Sequence, residues 1–127
     1  MKPYCITEGF VRDGHVKLFY LVRSLVETFP DGLNCHQVCE RVLRTFRQPL
    51  AWIKGTFNGY DHSWLVILGT RIIIDPYPWA CASGPIMLDC QTGSPWTTLY
   101  RESEYVLCDP DGILQHQLLH KEVEQWD

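Results

Sequence analysis

Three residues in one order carry the chemistry of this chain: Cys35 in Asn34-Cys35-His36, His62 in Asp61-His62-Ser63-Trp64-Leu65, and Asp75 in Ile74-Asp75-Pro76. A thiol, an imidazole and a carboxylate brought together make a nucleophile, its base and the group that orients the base. Cys35 is the expected nucleophile. His62 is the expected general base, and later the acid that protonates a leaving amine. Asp75 is expected to hold the imidazole in one tautomer and to stabilise its cation. The backbone N–H of Cys35 is a natural donor to a tetrahedral oxyanion. Asn34 and Gln48 are the candidate side-chain donors for the same role.

Two helices and a sheet must position this triplet. Between His15 and Phe29, Leu18, Leu21, Val22, Leu25, Val26 and Phe29 recur at three- and four-residue spacing, which predicts an amphipathic helix closed by Pro30-Asp31-Gly32. A second helix is predicted to start at Asn34, with Gln37 three residues on completing a capping box. Its stripe is Val38, Val42, Leu43 and Phe46, with Cys35 and Cys39 beside it, and it must end before Pro49. Cys35 then sits in a first helical turn, where the positive end of the helix dipole favours a thiolate.

The pattern turns to β from Leu50. Ala51 to Phe57 is a predicted strand before an Asn58-Gly59 turn, and Ser63 to Leu68 with Arg71 to Asp75 forms a predicted hairpin about Gly69-Thr70. Both arms are too apolar for a wet face, so the hairpin is expected inside the sheet. If the turn centres on Leu68-Gly69, residues 62 and 75 oppose each other directly. If it centres on Gly69-Thr70, they are diagonal neighbours on one face. Either register leaves them within hydrogen-bonding reach. Further on, residues 76–85 and Asp89 to Trp96 read as loop, Thr97 to Leu107 as a strand, and Gly112 to Trp126 as a terminal helix carrying Leu114, Leu118, Leu119, Val123 and Trp126. The expected fold class is α+β, a single domain over 1–127 with the Cys helix packed on an antiparallel sheet.

A cysteine opening a helix, followed by His62-Ser63-Trp64-Leu65 and then Ile74-Asp75-Pro76, resembles the papain-like superfamily in its Cys-His-Asp branch. Transglutaminases, arylamine N-acetyltransferases and glutamine-deamidating toxins belong to that branch. The similarity covers about Asn34 to Pro78. It implies a papain-like fold and attack by Cys35 on a carboxamide or acyl group, giving a thioester that water or an amine resolves. The activities implied are peptide or isopeptide cleavage, glutamine deamidation and acyl transfer on a protein or peptide substrate, with no cofactor. Trp79, in a Pro-flanked loop four residues after Asp75, is a candidate to line the substrate cleft.

The remaining composition narrows the alternatives. The chain has 127 residues, 46% hydrophobic and 20% charged, with a net charge of −4 and no basic stripe. That argues against nucleic acid or an anionic membrane as partner. No stretch nears the roughly 20 apolar residues of a bilayer span, and the first residues do not look like a signal peptide, so a cytoplasmic location is expected, with export lacking a cleavable signal as the other route. The six cysteines show no C-x-x-C pair and are expected as free thiols. His116 and His120, four apart, lack a third ligand and are expected on a solvated helix face. Asp109-Pro110-Asp111-Gly112 is expected as a turn whose Asp111 caps the last helix. A structural zinc on Cys35, Cys39 and His62 would draw on the same residues as the triplet, with Cys81 or His36 as its fourth donor. A non-catalytic binding protein on the same scaffold is the other class in contention.

Overall fold

The computed structural model describes residues 13–77, 85–89 and 95–118. Two helices pack on one six-stranded antiparallel sheet, an α+β arrangement, with strand order β4-β3-β2-β1-β5-β6. The helices are α1 (Asp13–Glu27) and α2 (Cys35–Phe46). The strands are β1 (Leu50–Phe57), β2 (Tyr60–Ile67), β3 (Ile72–Asp75), β4 (Ile86–Asp89), β5 (Tyr100–Cys108) and β6 (Leu114–Leu118), with a 3-10 helix over Pro95–Leu99 before β5.

The sheet divides the protein by the two-residue alternation of its strands. Leu50, Trp52, Leu65, Ile67, Ile72 and Ile74 face the helices and meet Phe19, Val22, Val38, Cys39, Val42 and Leu43. Ile53, Phe57, Trp64, Ile73, Ile86, Leu88 and Tyr100 form a second cluster on the other face. The stripe of α1 is rotated from its expected setting. Phe19 is fully buried, while Leu21 is exposed.

Turn chemistry sets the registers. Asn58 and Gly59 both take left-handed φ values, 51° and 85°, as a tight two-residue hairpin between Phe57 and Tyr60 requires. Thr70 closes the next turn: its N–H and its hydroxyl both donate to the Ile67 carbonyl, at 3.1 and 2.7 Å. β2 and β3 then pair Leu65↔Ile74 and Val66↔Ile73. This is the register centred on Gly69-Thr70, and neither strand is an edge strand.

Several expectations are corrected here. Residues Leu114–Leu118 are not the start of a helix but the strand β6, paired with β5 through Cys108↔Leu114 to Glu104↔Leu118. The Asp-Pro-Asp-Gly segment is the hairpin turn that makes this possible: Asp109 Oδ1 accepts from the N–H groups of Asp111 and Ile113, and Gly112 has φ +84°. Asp111 therefore caps no helix. His116 projects from β6 to Glu104 (2.7 Å) rather than from a helix, and His120 lies outside the described residues. Residues 86–88, unassigned between the two expected loops, form β4 together with Asp89, and β4 pairs along all of β3.

No helix among the described residues is long and apolar enough to cross a membrane. Cys35, Cys39 and Cys108, all buried, are free thiols.

Candidate active site

α2 begins where the sequence places it. Asn34 is the N-cap: its side chain accepts from the Gln37 N–H (2.9 Å), and Gln37 Oε1 accepts from the Asn34 N–H (3.0 Å). Cys35 is thus the first residue of the helix, where backbone N–H groups have no acceptor within the helix and point toward an incoming anion.

His62 and Asp75 project from the sheet face opposite the helices. His62 Nε2 and Asp75 Oδ2 lie 2.7 Å apart, and both side chains are fully buried. The carboxylate can only accept, so Nε2 carries the proton. Asp75 is held on both oxygens: the Tyr100 hydroxyl donates to Oδ2 (2.7 Å) and the Tyr77 N–H donates to Oδ1 (3.0 Å). Tyr100 is a member of the site that no sequence spacing announces, since β5 reaches β1 only through the sheet order.

The imidazole sits in an aromatic box. Trp64 stacks on it at 6.0 Å between ring centroids, Phe57 meets it edge-on at 6.0 Å, and Tyr100 closes the box at 6.3 Å. Gly55 stands opposite His62 in the β1–β2 register. A Cβ there would come within 1.9 Å of the Arg101 carbonyl oxygen and 3.0 Å of the Trp64 ring, so only glycine lets β5 and the box close this tightly.

Cys35 comes from α2 and lies close enough to the His62 imidazole to act on it electrostatically. Nε2 is engaged by Asp75, and the second ring nitrogen, Nδ1, is buried beside it. Burial pushes the imidazole toward its neutral form. The Asp75 hydrogen bond, with the charges of Asp75 and of neighbouring Cys35, outweighs it and raises the pKa from 6.5 to about 9. The imidazole is therefore cationic at neutral pH.

Cys39, one turn further along, contrasts with this. Its thiol pKa is raised well above 9.0, first by burial and then by the nearby charges of Asp75 and Cys35. It is held as a neutral thiol. Cys35 itself is buried, with 7% of its surface exposed.

The other candidates fall elsewhere. Asn34 adjoins Cys35, with its carbonyl-type oxygen committed to the cap and its amide N–H donors left for other work. Gln48 follows the far end of α2, roughly 18 Å of helix from Cys35, so the structure does not bring it to the triplet. Trp79 and Cys81 lie outside the described residues. Among the described residues, no group of three or more His, Cys, Asp or Glu side chains could hold a metal ion.

Taken chemically, the arrangement offers a thiol near a cationic imidazole, a buried carboxylate fixed by three hydrogen bonds, and the N-terminus of a helix at the cysteine. Comparison with protein-family models, with curated proteins and with solved structures finds nothing that matches this chain.

Proposed function

We propose that this protein is a small thiol enzyme of papain-like type that acts on amide or acyl substrates, with Cys35, His62 and Asp75 as its catalytic residues. One observation carries the proposal: the buried His62 imidazole, held by Asp75 at 2.7 Å, lies within electrostatic reach of Cys35 at the start of α2.

In the proposed reaction, the Cys35 sulfur attacks the carbonyl carbon while the proton of the thiol resides on His62. The tetrahedral oxyanion is met by the Cys35 backbone N–H at the start of α2. His62 gives its proton to the leaving amine or ammonia as the C–N bond breaks, leaving a thioester on Cys35. Neutral His62 then takes a proton from water, or from an acceptor amine, which attacks the thioester and releases the acyl product. Asp75 stays ionised throughout and holds Nε2–H. The proposed substrates are a protein or peptide bearing a side-chain amide, or an activated acyl group. The burial of Cys35 favours a slender group such as a glutamine carboxamide over a bulky peptide bond.

Intact-protein mass spectrometry after brief incubation with an activated acyl ester tests this. The expected result is one acyl group on Cys35, located by peptide mapping, absent in Cys35→Ala and slowed in His62→Ala by about a hundredfold or more. Acylation spread over several cysteines, or unaffected by His62→Ala, would refute it.

A further inference from the structure

The two segments that build the triplet meet a second time beside it. His36, the residue after Cys35, has its Nδ1 2.5 Å from Ser63 Oγ and its Nε2 2.7 Å from Asp61 Oδ2. Asp61 and Ser63 flank His62 on β2. Because successive strand residues point to opposite faces, His62 turns to the aromatic box while Asp61 and Ser63 turn to the helix side. Two consecutive residues of α2 thereby meet three consecutive residues of β2: Cys35 acts on His62 electrostatically, and His36 bonds its two neighbours.

A Ser-His-Asp set invites a second catalytic reading, but the burial rules it out. Ser63 is fully buried, so no acyl group can reach its oxygen, while the Asp61 side chain is 82% exposed and the His36 ring 34%. What the set does have is position. The first turn of a helix is where fraying starts, and the capping box of Asn34 and Gln37 ties that turn only to itself. His36 ties it to the sheet. Asp61 accepts from Nε2–H, which leaves Nδ1 of the neutral ring to accept from the Ser63 hydroxyl. In the charged ring Nδ1–H donates to the same oxygen, so the contact survives either state.

We infer that His36 is a positioning residue, anchored by buried Ser63 and oriented by Asp61, that holds the first turn of α2 so that the Cys35 sulfur stays at the His62 imidazole. The consequence for reactivity rests on the thiol-enzyme proposal, whereas the clamp itself does not. A displacement of about 1 Å at a reacting atom can cost about a hundredfold in rate, which is the scale on which such a clamp matters.

The test uses the full chain and two readouts: the rate of Cys35 carboxymethylation by iodoacetamide, and amide hydrogen exchange over residues 35–38. In His36→Ala, Cys35 should react about tenfold to a hundredfold more slowly, with Cys39 and Cys108 unchanged and exchange in the first turn of α2 faster. His36→Asn, whose amide oxygen can replace Nδ1 toward Ser63, should recover part of the loss. His36→Ala combined with Ser63→Ala should be no slower than either alone. Asp61→Asn changes an exposed side chain and tests the same link should the other variants fold poorly; it should slow Cys35 about threefold. Unchanged Cys35 reactivity in folded His36→Ala, with or without faster exchange, would overturn the positioning role. If wild-type Cys35 shows no preferential labelling, the thiol-enzyme proposal fails on its own. Unaltered exchange in His36→Ala would then overturn the clamp as well.

Discussion

At the scale of single residues, the site is governed by what surrounds one imidazole. An aromatic box strips water from His62 and would leave it neutral; a carboxylate at 2.7 Å and the nearby Cys35 reverse that balance. Tyr100 contributes by fixing the carboxylate. Replacing Tyr100 by Phe removes a hydrogen bond to a buried charge and should cost about 2 kcal/mol in urea denaturation. The Nε2–Asp75 contact does not depend on it, so preferential labelling of Cys35 should persist. The residues of the triplet were legible because each is scarce and reactive and because their order constrains the chain. Tyr100, His36 and Ser63 were not: a tyrosine on a distant strand and a histidine after a cysteine acquire meaning only once strands are placed side by side.

At the scale of elements, the Cys35 helix and the β2–β3 hairpin followed from local signals. A cap with glutamine at the third position starts α2, and Asn58-Gly59 can form its turn only as a tight hairpin. The four-residue connection from Leu68 to Arg71 then makes His62 and Asp75 diagonal neighbours, the second of the two registers the sequence allowed. Asn34→Ala removes the acceptor for the Gln37 N–H and should destabilise the protein by about 1 kcal/mol, against only a few tenths for Asn34→Gly, as read from urea midpoints. The helix expected from Gly112 is replaced by a strand over Leu114–Leu118 for a definite reason. Leu114 and Leu118 are four apart, a spacing that suits one face of a strand as well as one face of a helix. The choice lies with Asp109, whose side chain builds a hairpin turn and delivers Leu114 opposite Cys108. β4 was missed because four residues between proline and aspartate are too few to show a period, and its pairing with β3 is a tertiary fact.

At the scale of the whole molecule, the buried pair links stability to pH. The folded pKa of His62, about 9, lies above its ordinary value of 6.5, so folding binds a proton more tightly. That contribution is full below pH 6.5 and is lost as pH rises through 9. Urea midpoints of the wild type should therefore fall across this window, and His62→Gln should flatten the fall. A wild-type midpoint that rises over the same range would contradict the cationic imidazole. The account as a whole stands or falls on whether Cys35 is activated by His62, and the most direct measurement is the rate of iodoacetamide labelling of each cysteine against pH, in wild type and in His62→Ala. Cys35 should react far faster than Cys39 and Cys108 at neutral pH and lose that rate in the variant. Slow labelling of all thiols alike, or a Cys35 rate indifferent to His62, would contradict it.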